Sequence, residues 1–121
     1  MTPLETLQAL TRLVPDRFDV DDEGGGELKL GGSVYIFDAT APDPEDLALL
    51  SAALQELCDS RGWQWLKGIS HDRRKPDDYS VGVYGPVEGG ARPCLAAVGR
   101  EGQPFVLTLA RAVVAALEAT K

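Results

Sequence analysis

The sequence predicts an α+β fold with the element order α-β-β-β-α-β-β-β-α, in which three helices pack on an antiparallel sheet. Three segments place apolar residues at helical spacing, and the stretches between them alternate apolar and polar residues as strands do. Short sequences rich in glycine and proline separate the strands, which predicts antiparallel pairing. With 121 residues, 44% of them hydrophobic, the chain has the length and composition of a single globular domain over residues 1–121.

The first helix is predicted over residues 3–14. Thr2 and Glu5 have the spacing of a capping box, in which each side chain accepts a hydrogen bond from the other residue's backbone. Pro15 cannot continue a helix, so we expect the helix to end before it.

A hairpin with one apolar and one charged face is predicted next. Phe18 and Val20 alternate with acids, a turn is expected over 22–26, and Leu28 and Leu30 alternate with charged residues. Two glycines then separate this hairpin from a third strand over 33–38. Because that strand is apolar at both odd and even positions, we expect it to be more buried than the hairpin.

The second helix is predicted over residues 44–61. Asp43 is a suitable N-cap, Pro44 fits the first helical position, and Gly62 fits the position after the last turn. The expected buried stripe consists of Leu47, Leu50, Ala53, Leu54, Leu57 and Cys58.

The second half of the chain is predicted to form a three-stranded meander followed by a helix. The strands are expected over 63–69, 79–84 and 94–98, and the helix begins after Pro104. The polar stretch 70–78 is expected to be an exposed loop. Trp63 and Trp65 share one face of the first of these strands, where a core role is favoured over a recognition surface.

The order of elements from Trp63 onward is similar to that of a known family. A tryptophan-containing strand follows a helix, and a polar loop and a meander lead through Gly99-Arg100-Glu101-Gly102-Gln103-Pro104 into an alanine-rich helix over 110–117. This half of the chain resembles the phage-associated ABA-sandwich domain family. The resemblance implies a viral or mobile-element origin, and it supplies no catalytic residues to carry over.

The charge of the chain is unevenly distributed. The net charge is −7, yet residues 1–60 carry thirteen acids and three bases, whereas residues 61–121 carry six acids and nine bases. Such asymmetry favours an acidic face that binds a protein with a basic surface, while solubility alone is the simpler explanation. We expect the partner-binding acids to be those around the first hairpin: Asp19, Asp21, Asp22, Glu23 and Glu27.

A second candidate site is the basic part of the 70–78 loop. It consists of His71, Arg73, Arg74 and Lys75, which together have the chemistry to bind a carboxylate or a phosphate. Neighbouring aspartates offset this charge, so a neutralised surface loop is favoured. Because adjacent side chains point apart, Ser70-His71-Asp72 does not form a catalytic triad.

Other classes of chemistry have no motif in this sequence. The glycines do not form a nucleotide-binding motif, and the acids after Asp19 lack the glutamate that an EF-hand loop requires at its twelfth position, where Leu30 stands. Cys58 and Cys94 are expected to be core thiols. We therefore expect no catalytic residues, no metal and no cofactor, and the acidic charge argues against direct nucleic-acid binding.

The sequence favours a small, cytoplasmic, non-enzymatic protein that binds another macromolecule. It lacks an apolar run long enough to cross a membrane. An inhibitor or accessory protein of phage or mobile-element origin fits the acidic surface and the resemblance. Two alternatives stay open: a ligand-binding domain or enzyme with a site near the 70–78 loop, and a self-assembling viral component with Trp63 and Trp65 at a symmetric interface.

Overall fold

A computed structural model describes residues 2–69, 74 and 79–121 of the chain. It confirms the α+β class and the predicted order of elements, with the strands arranged in two antiparallel three-stranded sheets. The chain forms two compact units, Met1–Glu56 and Leu57–Lys121. The elements are α1 (Pro3–Leu13), β1 (Phe18–Val20), β2 (Gly25–Leu30), β3 (Ser33–Asp38), α2 (Pro44–Ser60), β4 (Gln64–Ile69), β5 (Tyr79–Tyr84), β6 (Cys94–Gly99) and α3 (Phe105–Ala119).

Helix α1 begins with the predicted capping box. The Thr2 hydroxyl accepts a hydrogen bond from the Glu5 backbone N–H at 3.2 Å, and the Glu5 carboxylate accepts one from the Thr2 N–H at 3.0 Å. The helix packs against β1 and buries Leu7 and Leu10 completely. The capping box gives a hydrogen-bond acceptor to two backbone N–H groups at the helix start that have no partner within the helix.

The first sheet has the strand order β1-β2-β3, so β2 is its central strand. Gly31 and Gly32 connect β2 to β3, and both have positive φ angles (59° and 84°), which a two-residue hairpin turn requires. The inner face of this sheet carries the buried side chains. These include Phe18, Val20, Leu28 and Phe37.

The expectation that the 33–38 strand is more buried than the hairpin is wrong. Of its six residues only Phe37 is buried, whereas the Val34 and Ile36 side chains are 56% and 79% exposed. The tight turn at Gly31 pairs β3 with β2, and β3 stands last in the strand order, so it is an edge strand. Among the described residues, no strand pairs with its other edge.

Helix α2 begins as the sequence predicts. The Asp43 carboxylate accepts a hydrogen bond from the Asp46 N–H at 2.8 Å, and the Asp46 carboxylate accepts one from the Asp43 N–H at 3.1 Å. Gly62, just beyond the helix, has a φ of 69°, which glycine adopts without a steric penalty. Most of the predicted stripe is buried: Leu50, Ala53, Leu54, Leu57 and Cys58.

The second sheet has the strand order β4-β5-β6, with β5 at its centre. Val81 and Val83 of β5 are completely buried, and α3 packs against β5 and β6. Nine residues of α3 are buried, which agrees with its predicted apolar periodicity.

Candidate functional site

The outer face of the first sheet combines acidic and exposed apolar side chains. Antiparallel pairing places Asp19 of β1 opposite Glu27 of β2, and Glu27 opposite Ile36 of β3. Because side chains directly opposite each other lie about 5 Å apart at Cβ, these three form one row across the sheet. We define the outer face by its exposed side chains, which are Asp19, Glu27, Lys29, Val34 and Ile36.

A shallow groove of about 240 Å³ lies over the first half of this face. Gly25 contributes no side chain to it, and the Asp21 carboxylate lies over this glycine, with one oxygen 2.8 Å from where a Cβ would stand. The groove is lined by Asp19, Asp21, Gly25, Gly26, Glu27 and Ile36. Three of the five predicted partner-binding acids therefore share one groove with the most exposed apolar side chain of β3.

Two of the predicted acids, Asp21 and Asp22, accept hydrogen bonds around the turn between β1 and β2, whereas Glu23 is exposed there. One carboxylate oxygen of Asp21 accepts hydrogen bonds from the Glu23 N–H at 2.9 Å and the Gly25 N–H at 2.8 Å. The Asp22 carboxylate accepts a longer hydrogen bond, 3.5 Å, from the Gln8 side chain. Asp21 and Asp22 thus hold the turn, whereas Asp19 and Glu27 present their carboxylates on the sheet.

The basic residues of the first unit only partly offset these acids. Residues 1–56 carry twelve acids against three bases, a net charge of −9. The Arg17 guanidinium lies 3.9 Å from the Glu56 carboxylate, and Arg17 also lines a pocket with Asp19 and Glu27. Lys29 is on the outer face opposite Val34, so positive charge lies at the Val34 end and negative charge at the Ile36 end.

The last residue of β3 anchors the chain that follows it. The Asp38 carboxylate accepts hydrogen bonds from the Thr40 hydroxyl at 2.7 Å, the Thr40 N–H at 2.9 Å and the Ala41 N–H at 3.2 Å. These bonds, the Thr40 hydroxyl first, hold the pKa of the Asp38 carboxyl below its ordinary value. Asp38 therefore stays ionised as the pH falls toward the usual aspartate range, and it fixes the end of β3.

Most of the second candidate site lies outside the described residues. His71, Arg73 and Lys75 are not described, and Arg74 is exposed. The expected binding of an anion by this loop stays a prediction.

The two tryptophans have different surroundings. Trp63 is only 8% exposed, and the Arg61 guanidinium lies 5.3 Å from its ring centroid. Trp65 is half-buried, with its ring centroid 5.2 Å from that of Phe105. Both side chains thus contact other parts of the second unit, as a core role requires.

Cations also cover the aromatic rings at one end of the second sheet. The Lys67 ammonium lies 4.4 Å from the Tyr79 ring centroid and 5.6 Å from that of Phe105. The Arg100 guanidinium lies 5.3 Å from the Tyr79 centroid. These are favourable cation–π distances, so the rings of Tyr79 and Phe105 already interact with cations of the same unit.

The two cysteines are free thiols with opposite surroundings. Cys58 is buried, and burial followed by the nearby Asp59 charge raises the pKa of its thiol to about 11. Cys94 is exposed, so the expectation that both are core thiols is wrong for Cys94. Cys94 begins β6, an edge strand of the second sheet, which explains its exposure.

Sequence reasoning missed the exposed apolar side chains Val34 and Ile36. The pair of glycines at 31 and 32 was a signal that β3 pairs with β2, since a two-residue turn joins adjacent antiparallel strands, but it carries no information about the other edge of β3. An alternating pattern would indicate a half-buried strand, but β3 is apolar at both odd and even positions, a pattern that predicts a buried strand.

Two further features concern the described residues as a whole. Their His, Cys, Asp and Glu side chains do not come together in any group of three arranged to hold a metal ion. Within the described ranges, none of the helices is both long enough and apolar enough to span a membrane.

Comparison of the chain with protein-family models, curated proteins and solved structures finds no significant match to any of them.

Proposed function

We propose that this chain is a non-enzymatic protein that binds another protein through the outer face of its first sheet. The partner presents a basic surface, and the chain acts on it as an inhibitor or accessory protein. The resemblance of the C-terminal half to the phage ABA-sandwich family favours an origin in a phage or other mobile element.

The observation that carries this proposal is the row formed by Asp19, Glu27 and Ile36. An isoleucine that is 79% exposed gains little from folding, and binding would remove its apolar surface from water. Apolar surface bordered by charged side chains is typical of protein interaction sites. The adjacent carboxylates would select partners by charge and accelerate their association.

The alternative of self-assembly through the tryptophans has less support. It needs Trp63 and Trp65 at a subunit interface, but Trp63 is buried within the chain and Trp65 contacts Phe105. The outer face of the first sheet offers more free apolar surface than either tryptophan.

Charge reversal on the outer face tests the proposal. The Glu27→Lys variant would be compared with Glu88→Lys, which has the same net charge but changes an exposed acid on the hairpin between β5 and β6. Each tagged variant would capture proteins from lysate of the source cell at low and high salt, with detection by mass spectrometry.

We expect a basic protein that wild type and Glu88→Lys retain at low salt and that Glu27→Lys binds about tenfold more weakly. High salt would release it, because screening weakens attraction between exposed charges. Equal loss in both variants would show that net charge alone is responsible, and equal retention would show that the outer face is not the binding surface. Either result would contradict the proposal.

A further inference from the structure

We infer that the partner supplies an extended segment that pairs with the open edge of β3 as a fourth strand, and that this segment alternates basic and apolar residues. The inference rests on the proposed function and specifies how the outer face recognises its partner.

The backbone of β3 has hydrogen-bonding groups available for such pairing. The Ala39 N–H donates to the Gly24 carbonyl at 2.8 Å, so the odd-numbered residues of this stretch face β2. In an antiparallel pair only alternate residues exchange hydrogen bonds with a given neighbour. The N–H and C=O groups of Val34 and Ile36 therefore point away from β2, toward the open edge.

The outer face accounts for the basic residues of the segment. A fourth strand would lie about 4.8 Å from β3 and two strand spacings from β2. A lysine or arginine side chain on its outer face would cross Ile36 with its apolar stem and extend its charge toward Glu27 and Asp19. A single lysine or arginine would thus make both contacts, an apolar one with Ile36 and an attractive one with the carboxylates of Glu27 and Asp19.

The inner face accounts for the apolar residues that alternate with them. Tyr35 points to the same side as the buried Phe37, because residues two apart in a strand share a face. Its side chain is still 40% exposed at the sheet edge. An apolar side chain of the added strand would pack beside Tyr35 and extend the inner face by one strand.

Charge argues for a basic segment over a second copy of this chain. A second copy would bring a net charge of −7 to a unit that already carries −9. Arg17 and Lys29 line one pocket with Val34, so the attraction for a basic segment is concentrated at the Ile36 end of β3. Replacing Lys29 with glutamine should therefore strengthen binding of a basic segment.

Synthetic peptides test the inference without altering the fold of the protein. The probe is a capped heptapeptide of alternating lysine and valine, and its control has the same residues in two blocks. Two further probes carry N-methyl groups on either the lysine or the valine amides. Because strand pairing uses only alternate amides, one methylation pattern should weaken binding by about tenfold or more and the other should leave it nearly unchanged.

Hydrogen exchange measured by NMR provides a residue-level readout. We expect the alternating peptide to slow amide exchange at Val34 and Ile36, while the Tyr35 amide, which already faces β2, changes little. The Lys29→Gln variant should bind the alternating peptide more tightly than wild type.

Each contrary outcome identifies what has failed. Equal effects of the two methylation patterns, or binding without protection of Val34 and Ile36, would overturn strand pairing and leave recognition by the outer face intact. Absence of binding at about 1 mM peptide would also overturn it. If the Val34 and Ile36 amides become more protected from hydrogen exchange as the protein concentration rises, without any peptide, β3 pairs with a second copy of the chain instead. The proposed function fails separately, if Glu27→Lys and Glu88→Lys retain the captured partner equally.

Discussion

The two sheets of this protein have the same number of strands and the same antiparallel pairing, but they differ in how many apolar side chains they expose. Each has three antiparallel strands followed by a helix. In the second sheet, Val81 and Val83 are fully buried on the central strand, and Lys67 and Arg100 cover the Tyr79 ring. The edge strand β4 of the second sheet exposes one large apolar side chain, Leu66, whereas the edge strand β3 of the first sheet exposes three, Val34, Tyr35 and Ile36.

This difference separates structural residues from residues available for binding. The aromatic groups of the second sheet already contact cations and one another, so their contacts stabilise the fold. The exposed residues of β3 have no equivalent cover: Ile36 lies in a row with Glu27 and Asp19, and Val34 lies opposite Lys29. We therefore expect substitutions in the inner face of the first sheet and in the second sheet to change stability, and substitutions on the outer face to change binding.

The largest expected effect is that of Phe18→Ala on the inner face of the first sheet. Phe18 is 1% exposed, so the substitution removes a buried ring and leaves a cavity that costs about 3–5 kcal/mol. Urea denaturation would measure this loss in the free energy of unfolding. The matched outer-face variant is Ile36→Ala, for which we expect a change within about 0.5 kcal/mol. A comparable cost at Ile36 would show that β3 contributes its outer face to the folded core.

A smaller effect is expected from adding a methyl group to the first sheet at Gly26. A Cβ there would lie 2.7–2.8 Å from two ring atoms of Phe37, which is itself buried. Overpacking of this kind costs about 1–3 kcal/mol, so Gly26→Ala should lower the midpoint of thermal unfolding. In the second sheet, a Cβ at Gly99 would meet no atom within 4 Å, and Gly99→Ala serves as the control. If both variants unfold at the same temperature, the packing at Phe37 is looser than described.

The smallest expected effect is the loss of a cation from the second sheet. Lys67→Met keeps most of the side-chain length but removes the ammonium that lies over Tyr79 and Phe105, and we expect a loss of about 0.5–1 kcal/mol. The control is Lys29→Met on the outer face. It removes the same charge from a lysine that takes part in none of the cation–ring contacts of the described residues. Equal changes in the free energy of unfolding would mean that the rings gain nothing from the cation.

Local patterns predicted the elements of this fold well. Capping residues at Thr2 and Asp43 fixed two helix starts, and glycine at 62 marked a helix end, because each satisfies backbone groups through contacts close in sequence. The position of β3 at a sheet edge depends on which strands pair, and pairing is a long-range property that alternation does not encode.

The candidate site was predicted only in part for the same reason. Charge counting identified the acidic hairpin, and Asp19 and Glu27 do lie together on one face. It did not distinguish them from Asp21, whose carboxylate holds the turn, because all acids have the same charge in a sequence. The apolar part of the site, Ile36, could be identified only from the strand register, which places Ile36 beside Glu27.

The acids next to β3 also affect how the protein behaves in concentrated solution. An uncovered strand edge with apolar side chains is a template for ordered aggregation, and nearby charges act as gatekeepers against it. The sequence pI is about 4.6, so the net charge of the chain, and with it the repulsion between copies, falls as a solution is acidified toward that pH. We expect the lowest solubility there, and substitutions that neutralise Asp19 or Glu27 should move the onset of precipitation toward neutral pH.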